Sequence, residues 1–305
     1  MRIVVTGATG FIGRALCTTL HQTGHHVVVL SRRPDEAQRL FVGGITVTPW
    51  DNRESGLWER QLHGADAIVN FAGAPIVGAR WSAQRKQVLL DSRVLTTRRL
   101  VRALSRCATK PPTLISTSGI GYYGASDDHL LDEHSARGQG FLADLCEEWE
   151  AEAQRASEFG VRVVVLRTGM VLDGDGGALP KMALPFRFLL GGPVMPGTQW
   201  VSWIHRRDHI DLIRWILVNP GISGPVNAVA PGAVTMRDFC AALGRVLHRP
   251  SWLPVPKAVL ELGLGELGTI MTTGQRVQPA AALKAGYRFQ YPELETALST
   301  IYSKL

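Results

Sequence analysis

Three glycines at positions 7, 10 and 13 follow an apolar run, Met1 to Thr6, in the order Gly7-Ala8-Thr9-Gly10-Phe11-Ile12-Gly13, and an amphipathic segment comes next. That spacing suits the phosphates of a dinucleotide. Gly7 permits a tight turn out of a strand, Gly10 lets backbone amides approach a pyrophosphate, and Gly13 lets the next helix press against a sheet. Thr9, Phe11 and Ile12 complete the turn and open the helix, whose first amides face bound phosphate.

The next apolar run, His26 to Leu30, ends in Ser31-Arg32-Arg33-Pro34. A cradle for NAD places a carboxylate here to accept hydrogen bonds from the ribose hydroxyls. None stands at this point. Arg32 and Arg33 offer guanidinium forks to a 2′-phosphate and Ser31 adds a hydroxyl donor, which is what NADP(H) requires. Two solvated surface arginines are the plainer alternative, and the missing acid argues against it.

Two later strand ends carry chemistry as well. Asn70-Phe71-Ala72-Gly73 has small residues against which a nucleotide can lie, with Asn70 able to brace the adjacent turn. Ser116-Thr117-Ser118, followed by Tyr122-Tyr123-Gly124, brings hydroxyls that can hold and protonate a carbonyl beside a nicotinamide. Ser118, Tyr122 and Tyr123 are the catalytic candidates.

Such residues need a scaffold that gathers strand ends. Strand signals at 45–50, 65–71, 114–118 and 161–167 alternate with helical signals at 57–63, 84–106 and 142–159. This alternation predicts an α/β fold: a Rossmann-like, doubly wound parallel sheet with right-handed crossovers. From about Leu172 glycine and proline break the rhythm, so a dinucleotide-binding domain over 1–171 and a smaller substrate or lid domain over 172–305 are expected, with segments around 200–230 returning to the first. A helix at 209–218, a strand at 226–229, a helix capped by Thr235 and running to Leu247, and another over 256–262 are read in the second part.

The 305 residues are 45% hydrophobic and 19% charged, ordinary for a folded globular chain. No apolar run is long enough for a membrane span, and the opening apolar stretch is a strand and not a signal peptide, so a cytoplasmic location is expected. Cys17, Cys107, Cys146 and Cys240 lack metal-ligand or redox spacing and read as reduced, buried thiols. The net charge of +7 comes from basic residues spread along the chain, without the dense basic run or aromatic interleaving of a nucleic-acid module. The expected partner is a small-molecule substrate; neither nucleic acid nor membrane is expected, and a homodimer is left open. The histidines lack paired metal spacing, and no Gly-x-Ser-x-Gly elbow is present.

Taken together these residues resemble the extended, epimerase-like branch of the short-chain dehydrogenase/reductase superfamily. The glycine turn, Asp66 with Asn70-Phe71-Ala72-Gly73, the serine strand end with Tyr-Gly, and Trp203-Ile204-His205 leading to Asp208 stand in that family's order. More narrowly, Ser31-Arg32, Gly121-Tyr122-Tyr123, Phe141-Leu142-Ala143, Trp149-Glu150, Leu184-Pro185-Phe186 and the tail through Gly286-Tyr287 are similar to the epimerase family proteins with their own C-terminal domain. The resemblance implies an oxidoreductase or a nucleotide-sugar epimerase. It also implies Tyr-x-x-x-Lys on the helix after the serine strand, tyrosine as acid/base and lysine as the cation that lowers its pKa.

That pair is missing. Anchoring on Glu150 puts Leu142 and Cys146 in the two slots; sliding by one gives Phe141 and Leu145. Two readings follow: an NADP(H)-dependent enzyme whose acid/base comes from elsewhere, Tyr122 or Tyr123 with Ser118, or a protein that holds the cofactor without turnover and acts as a regulator. The resemblance also marks Arg93, where extended members carry an asparagine; it either reaches the cofactor or pairs with Asp91 or Asp66. Met170 and Val171 either meet the nicotinamide amide or simply pack. His205 and Asp208 are expected to be structural more than chemical, and Lys181 and Arg187 either grip an anionic substrate or face water.

Overall fold

The computed structural model describes residues 1–41 and 43–303. Among these, β1 (Arg2–Thr6), β2 (His26–Ser31), β3 (Thr46–Pro49), β4 (Ala67–Asn70) and β5 (Thr113–Gly119) precede a short β6 (Leu130–Leu131). Then come β7 (Arg162–Thr168), β8 (Met170–Leu172), β9 (Trp200–Val201), β10 (Trp203–His205) and β11 (Gly224–Ala228). Seven of them form one sheet in the order β11-β7-β5-β4-β1-β2-β3. Every adjacent pair in it is parallel. The chain winds from β1 out to β3 and then crosses back to β4. Helical crossovers therefore diverge between β1 and β4, and a crevice opens at the carboxyl ends of these two strands.

The strands are apolar on both faces because helices cover both. Ile3 and Val5 belong to one core with Leu16 and Leu20 of α1 (Phe11–Gln22), whereas Val4 belongs to the other with Leu100 and Leu104. Next in the chain is α2 (Pro34–Leu40). The helix expected over 84–106 is two helices, α3 (Ala83–Asp91) and α4 (Val94–Arg106). The Ser92 hydroxyl accounts for the break: it donates to the Leu89 carbonyl at 3.1 Å and accepts from the Ala74 amide at 2.9 Å, competing with the helical ladder. On the same face α5 (Phe141–Gln154) runs beside α4, and a 3-10 turn continues it to Phe159.

Beyond Leu172 the chain divides its loyalties. A helix not foreseen in the glycine-rich stretch, α6 (Leu179–Arg187), precedes α7 (Arg206–Val218), which packs on α1, and β11 then joins the edge of the main sheet. After β12 (Val234–Thr235), α8 (Met236–Leu247) starts where expected: Thr235 Oγ1 accepts the Asp238 amide at 3.2 Å. Next come α9 (Lys257–Leu264), α10 (Glu266–Met271), β13 (Arg276–Val277), α11 (Ala280–Lys284) and α12 (Leu294–Tyr302). Helices α6, α8 and α12 close a separate core around Trp203 and Phe239. Leu267 and Ile270 of α10 pack with Trp81, Leu145 and Trp149 at the mouth of the crevice.

Candidate dinucleotide and substrate cleft

The glycine turn is built so that side chains have no room. Gly7 has φ +64°, and a Cβ there would lie 2.4 Å from the Phe71 carbonyl oxygen; one on Gly13 would lie 2.5 Å from the Gly7 oxygen. The Gly10 amide closes the turn on the Gly7 carbonyl at 3.1 Å. With Gly10 as N-cap, no side chain caps α1, so the amides at its start are available to an anion.

On one side of this turn lies a cavity of about 660 Å³ lined by Gly7, Thr9, Gly10, Ser31, Arg32, Arg33, Ala72 and Gly73, among others. Ser31 Oγ accepts the Arg33 amide at 3.1 Å, which keeps its hydroxyl hydrogen free to donate outward. Arg33 pairs with Glu36 at 3.2 Å, but both side chains are mostly exposed and the pair is weak. Arg32 has no carboxylate partner among the described residues. Asn52, on which no sequence motif falls, lines the same cavity with its Oδ1 buried and without a partner.

A second cavity of about 420 Å³ shares Gly7, Gly10, Phe71 and Gly73 with the first and extends to Phe11, Ile12, Gly13, Arg93, Thr117, Ser118, Thr168 and the α5 face formed by Leu142, Leu145, Cys146 and Trp149. Asn70 holds the floor between the two cavities. It accepts from Thr6 Oγ1 at 2.6 Å and from the Ala72 amide at 3.3 Å, and donates to Thr97 Oγ1 at 2.9 Å and Ser116 Oγ at 3.2 Å. It braces the turn and makes no direct wall.

The structure also selects a register for α5. Leu142 and Cys146, four residues apart, both face the cleft, while Phe141 packs edge-on to Trp81 at 5.2 Å. Neither slot carries an acid. Burial pushes the Cys146 thiol up, so it stays protonated, and its Sγ–H points at the Gly119 carbonyl at 3.6 Å.

The expectation that Tyr122 or Tyr123 faces the nicotinamide end needs correction, because neither lines the cleft. Tyr123 is buried, donates to Asn227 Oδ1 at 2.8 Å and accepts from Arg167 Nη1 at 3.0 Å. Burial, chiefly, pushes its hydroxyl up to about 12, an unhelpful value for an acid/base at neutral pH. Tyr122 lies under the Arg167 guanidinium, 3.5 Å from ring to Cζ. The turn after β5 sends both rings into the α5–β7 side and leaves Gly119, Ile120 and Gly121 on the cleft wall.

Ser118 does reach the cleft, but its hydroxyl donates to Glu150 Oε1 at 2.7 Å and so offers lone pairs inward. Glu150 is in turn held by Arg167. Burial opposes the Arg167 charge; hydrogen bonds and attraction from Glu150, then Tyr123, outweigh it and hold its pKa above the usual value. Arg93 reaches the cleft and pairs with neither Asp91 nor Asp66: Nη2 donates to the Ala74 carbonyl at 2.8 Å and Nη1 to that of Leu89 at 3.1 Å. Thr168, also on the wall, contacts His209 Nε2 at 3.1 Å. Burial lowers that imidazole to about 4 and its Nδ1 has no partner, so it ends in a dead end and relays no proton.

Other expected residues stand apart. Val171 packs in the core beside α1 and Met170 against the core of α6, α8 and α12; neither lines a cavity of the cleft. Asp208 accepts the Gln290 and Tyr291 amides at 2.8 and 2.9 Å, and His205 stacks on Tyr291 at 4.0 Å, so both tie α7 to the C-terminal segment. Lys181 and Arg187 are exposed on α6, away from both cavities.

Known proteins supply the context for this geometry. A model of the NAD dependent epimerase/dehydratase family matches residues 3–228. The chain belongs to that family. Residues 255–301 match a second model, a domain of unknown function designated DUF1731. Among this epimerase-family chain's relatives is epimerase family protein YfhF of Bacillus subtilis, 42% identical over 302 residues that cover 99% of this chain and 98% of the relative. The chloroplastic homolog of epimerase family protein SDR39U1 from Arabidopsis thaliana is 40% identical over 99% of this chain and 86% of its own. The crystal structure of human epimerase family protein SDR39U1 (isoform 2) with NADPH superposes with a TM-score of 0.89 at 35% identity, each chain covered completely. Among the described residues of this family member, no helix is long and apolar enough to cross a membrane.

Proposed function

We propose that this chain binds NADP(H) and acts as an oxidoreductase on a small, largely apolar carbonyl compound. The observation that carries this reading is a pair of adjoining cavities that share the glycine turn, one lined by Arg32 at the end of β2 and the other by Ser118 and Arg93. The steric cradle at Gly7 and Gly13, the uncapped start of α1 and the unpaired Arg32 together fit a dinucleotide with a 2′-phosphate. When bound, the cofactor supplies a hydride at its nicotinamide. The human relative bound to NADPH supports the same choice of cofactor.

The chain's own residues would orient and exclude. Ile76, Ile120, Leu142 and Leu145 keep water from an apolar substrate body. Ser118, its hydrogen committed to Glu150, accepts a hydrogen bond from a substrate hydroxyl. Arg93 polarises the carbonyl oxygen electrostatically, and the proton that turns the resulting alkoxide into an alcohol would come from solvent water. This division replaces the absent Tyr-Lys pair with positioning and charge.

A second reading is favoured by one specific observation: Leu142 and Cys146 occupy the wall where the superfamily's acid/base works. In it the protein holds NADP(H) and signals its presence to a partner, with no turnover. The test is a titration with NADPH and NADH, repeated with Arg32→Ala, followed by a cofactor-oxidation screen over carbonyl compounds and nucleotide sugars. Tighter NADPH binding, weakened in Arg32→Ala, and oxidation by an apolar carbonyl support the enzyme. Tight binding with no oxidation by any compound supports the sensor. Equal affinities for the two cofactors defeat the NADP(H) assignment. A cytoplasmic location belongs to the proposal; four buried free thiols suit a reducing compartment, and fractionation checks it.

A further inference from the structure

Arg93 is a buried cation with no anion to answer it. Arg93 stands at the break that the Ser92 hydroxyl makes between α3 and α4, and the residue is 8% exposed. Its partners are all uncharged: the Leu89 and Ala74 carbonyls, the Ser92 hydroxyl at 3.4 Å and the Trp149 ring, 5.2 Å from Cζ. Room for it comes from Gly73, where a Cβ would stand 3.0 Å from Cζ.

The acids that could neutralise it are committed elsewhere. Asp91 accepts from Gln87 at 2.8 Å, Asp66 accepts the Arg2 amide at 2.6 Å, and Glu150 is engaged by Arg167 and Ser118. Arg93 is the one charged side chain among the described residues lining its cavity, and Arg85 of α3 adds repulsion of the same sign. Burial lowers Arg93 to about 10, which still leaves it charged at neutral pH. The α5 slot where the superfamily carries a lysine holds Cys146, a neutral thiol. The charge that faces this end of the cleft therefore comes from Arg93, in the break between α3 and α4.

Such a charge has a consequence for a nicotinamide. The 2′-phosphate belongs at Arg32 and the pyrophosphate at the start of α1, so the ring lies in the cavity that Arg93 lines. Phosphates attract Arg93 equally in both redox forms of the cofactor, and that attraction cancels in a comparison of the two. The ring does not cancel: it is neutral when reduced and cationic when oxidised. We propose that Arg93 is a specificity-determining residue that makes the cleft bind NADPH more tightly than NADP+. In an effective dielectric of about 20, two like charges sharing one cavity repel enough for a discrimination on the order of tenfold in affinity.

This rests on the NADP(H) reading, and the experiment separates the two. Dissociation constants of NADPH and of NADP+ are measured by calorimetry on the full chain, for wild type, Arg93→Lys and Arg93→Gln. The proposal expects wild type to bind NADPH the more tightly, Arg93→Lys to retain the preference, and Arg93→Gln to lose on the order of tenfold of it. If wild type binds both forms equally, or Arg93→Gln keeps the full ratio, the proposal is overturned while the cofactor assignment stands. Binding of neither form removes both. Should Arg93→Gln fail to fold, redox titration of the cofactor bound to wild type decides: a midpoint more positive than that of the free couple upholds the proposal, and an equal or more negative one overturns it.

Discussion

Arg167 grips Glu150 through two hydrogen bonds, Nε to Oε1 at 3.0 Å and Nη2 to Oε2 at 2.8 Å, with both side chains nearly out of solvent. This pair joins the end of β7 to α5 and, through Oε1, orients the Ser118 hydroxyl at the edge of the cleft. It also draws the tyrosine rings away from the cleft: Tyr122 and Tyr123 pack around the Arg167 guanidinium.

Glu150→Leu strands a buried guanidinium, and Arg167→Leu strands a buried carboxylate. Each is expected to cost about 3–5 kcal/mol in denaturant unfolding. The double variant should lose clearly less than the sum of the two singles, because no unpaired charge is left. Strict additivity would remove the coupling.

Tyr123→Phe deletes a buried hydroxyl between Asn227 and Arg167 and should lower stability by about 1–2 kcal/mol. Tyr122→Phe keeps the ring under Arg167, and an effect within about 0.5 kcal/mol is expected. Neither variant should change NADPH affinity in a fluorescence titration. A large loss of turnover in either, with binding intact, would return the acid/base role to that tyrosine.

Gly13→Ala places a methyl 2.5 Å from the Gly7 carbonyl oxygen, and Gly7→Ala adds strain at φ +64° besides its contact with Phe71. Both should weaken NADPH binding at least tenfold while α1 and the sheet persist by circular dichroism. Gly10→Ala meets only the Gly7 oxygen at 3.2 Å and should be the mildest of the three.

His209 makes stability pH-dependent in a stated window. Its folded-state pKa of about 4 lies below the ordinary value of 6.5, so between them the unfolded chain binds a proton that the folded chain refuses. Stability should therefore fall as pH drops from 6.5 toward 4, by about 3 kcal/mol from this residue. His209→Gln should flatten that part of the profile; an unchanged slope by chemical denaturation would assign the dependence to other groups.

Much of the architecture was legible because its signals are local. The glycine spacing, the apolar strands and the Thr235 cap each act within a few residues, and the structure places the strand ends they predict around one crevice. The run 84–106 reads as one helix but forms two because a single hydroxyl, Ser92, finds partners 18 residues away at Ala74 as well as three away at Leu89. Helix α6 forms among glycines and prolines because packing of Leu179, Ala183 and Phe186 on α8 and α12 outweighs local composition.

The sequence by itself determined the dinucleotide cradle, the missing carboxylate after β2 and the absence of tyrosine and lysine from α5. These are matters of which atoms exist. Tertiary structure alone decided where the remaining polar groups spend their hydrogen bonds: Ser118 on Glu150, Tyr123 on Asn227 and Arg167, and Arg93 on two carbonyls with no acid in reach. Those choices depend on burial, which makes an unpaired charge costly and potent, and burial exists only once distant elements have closed around the cleft.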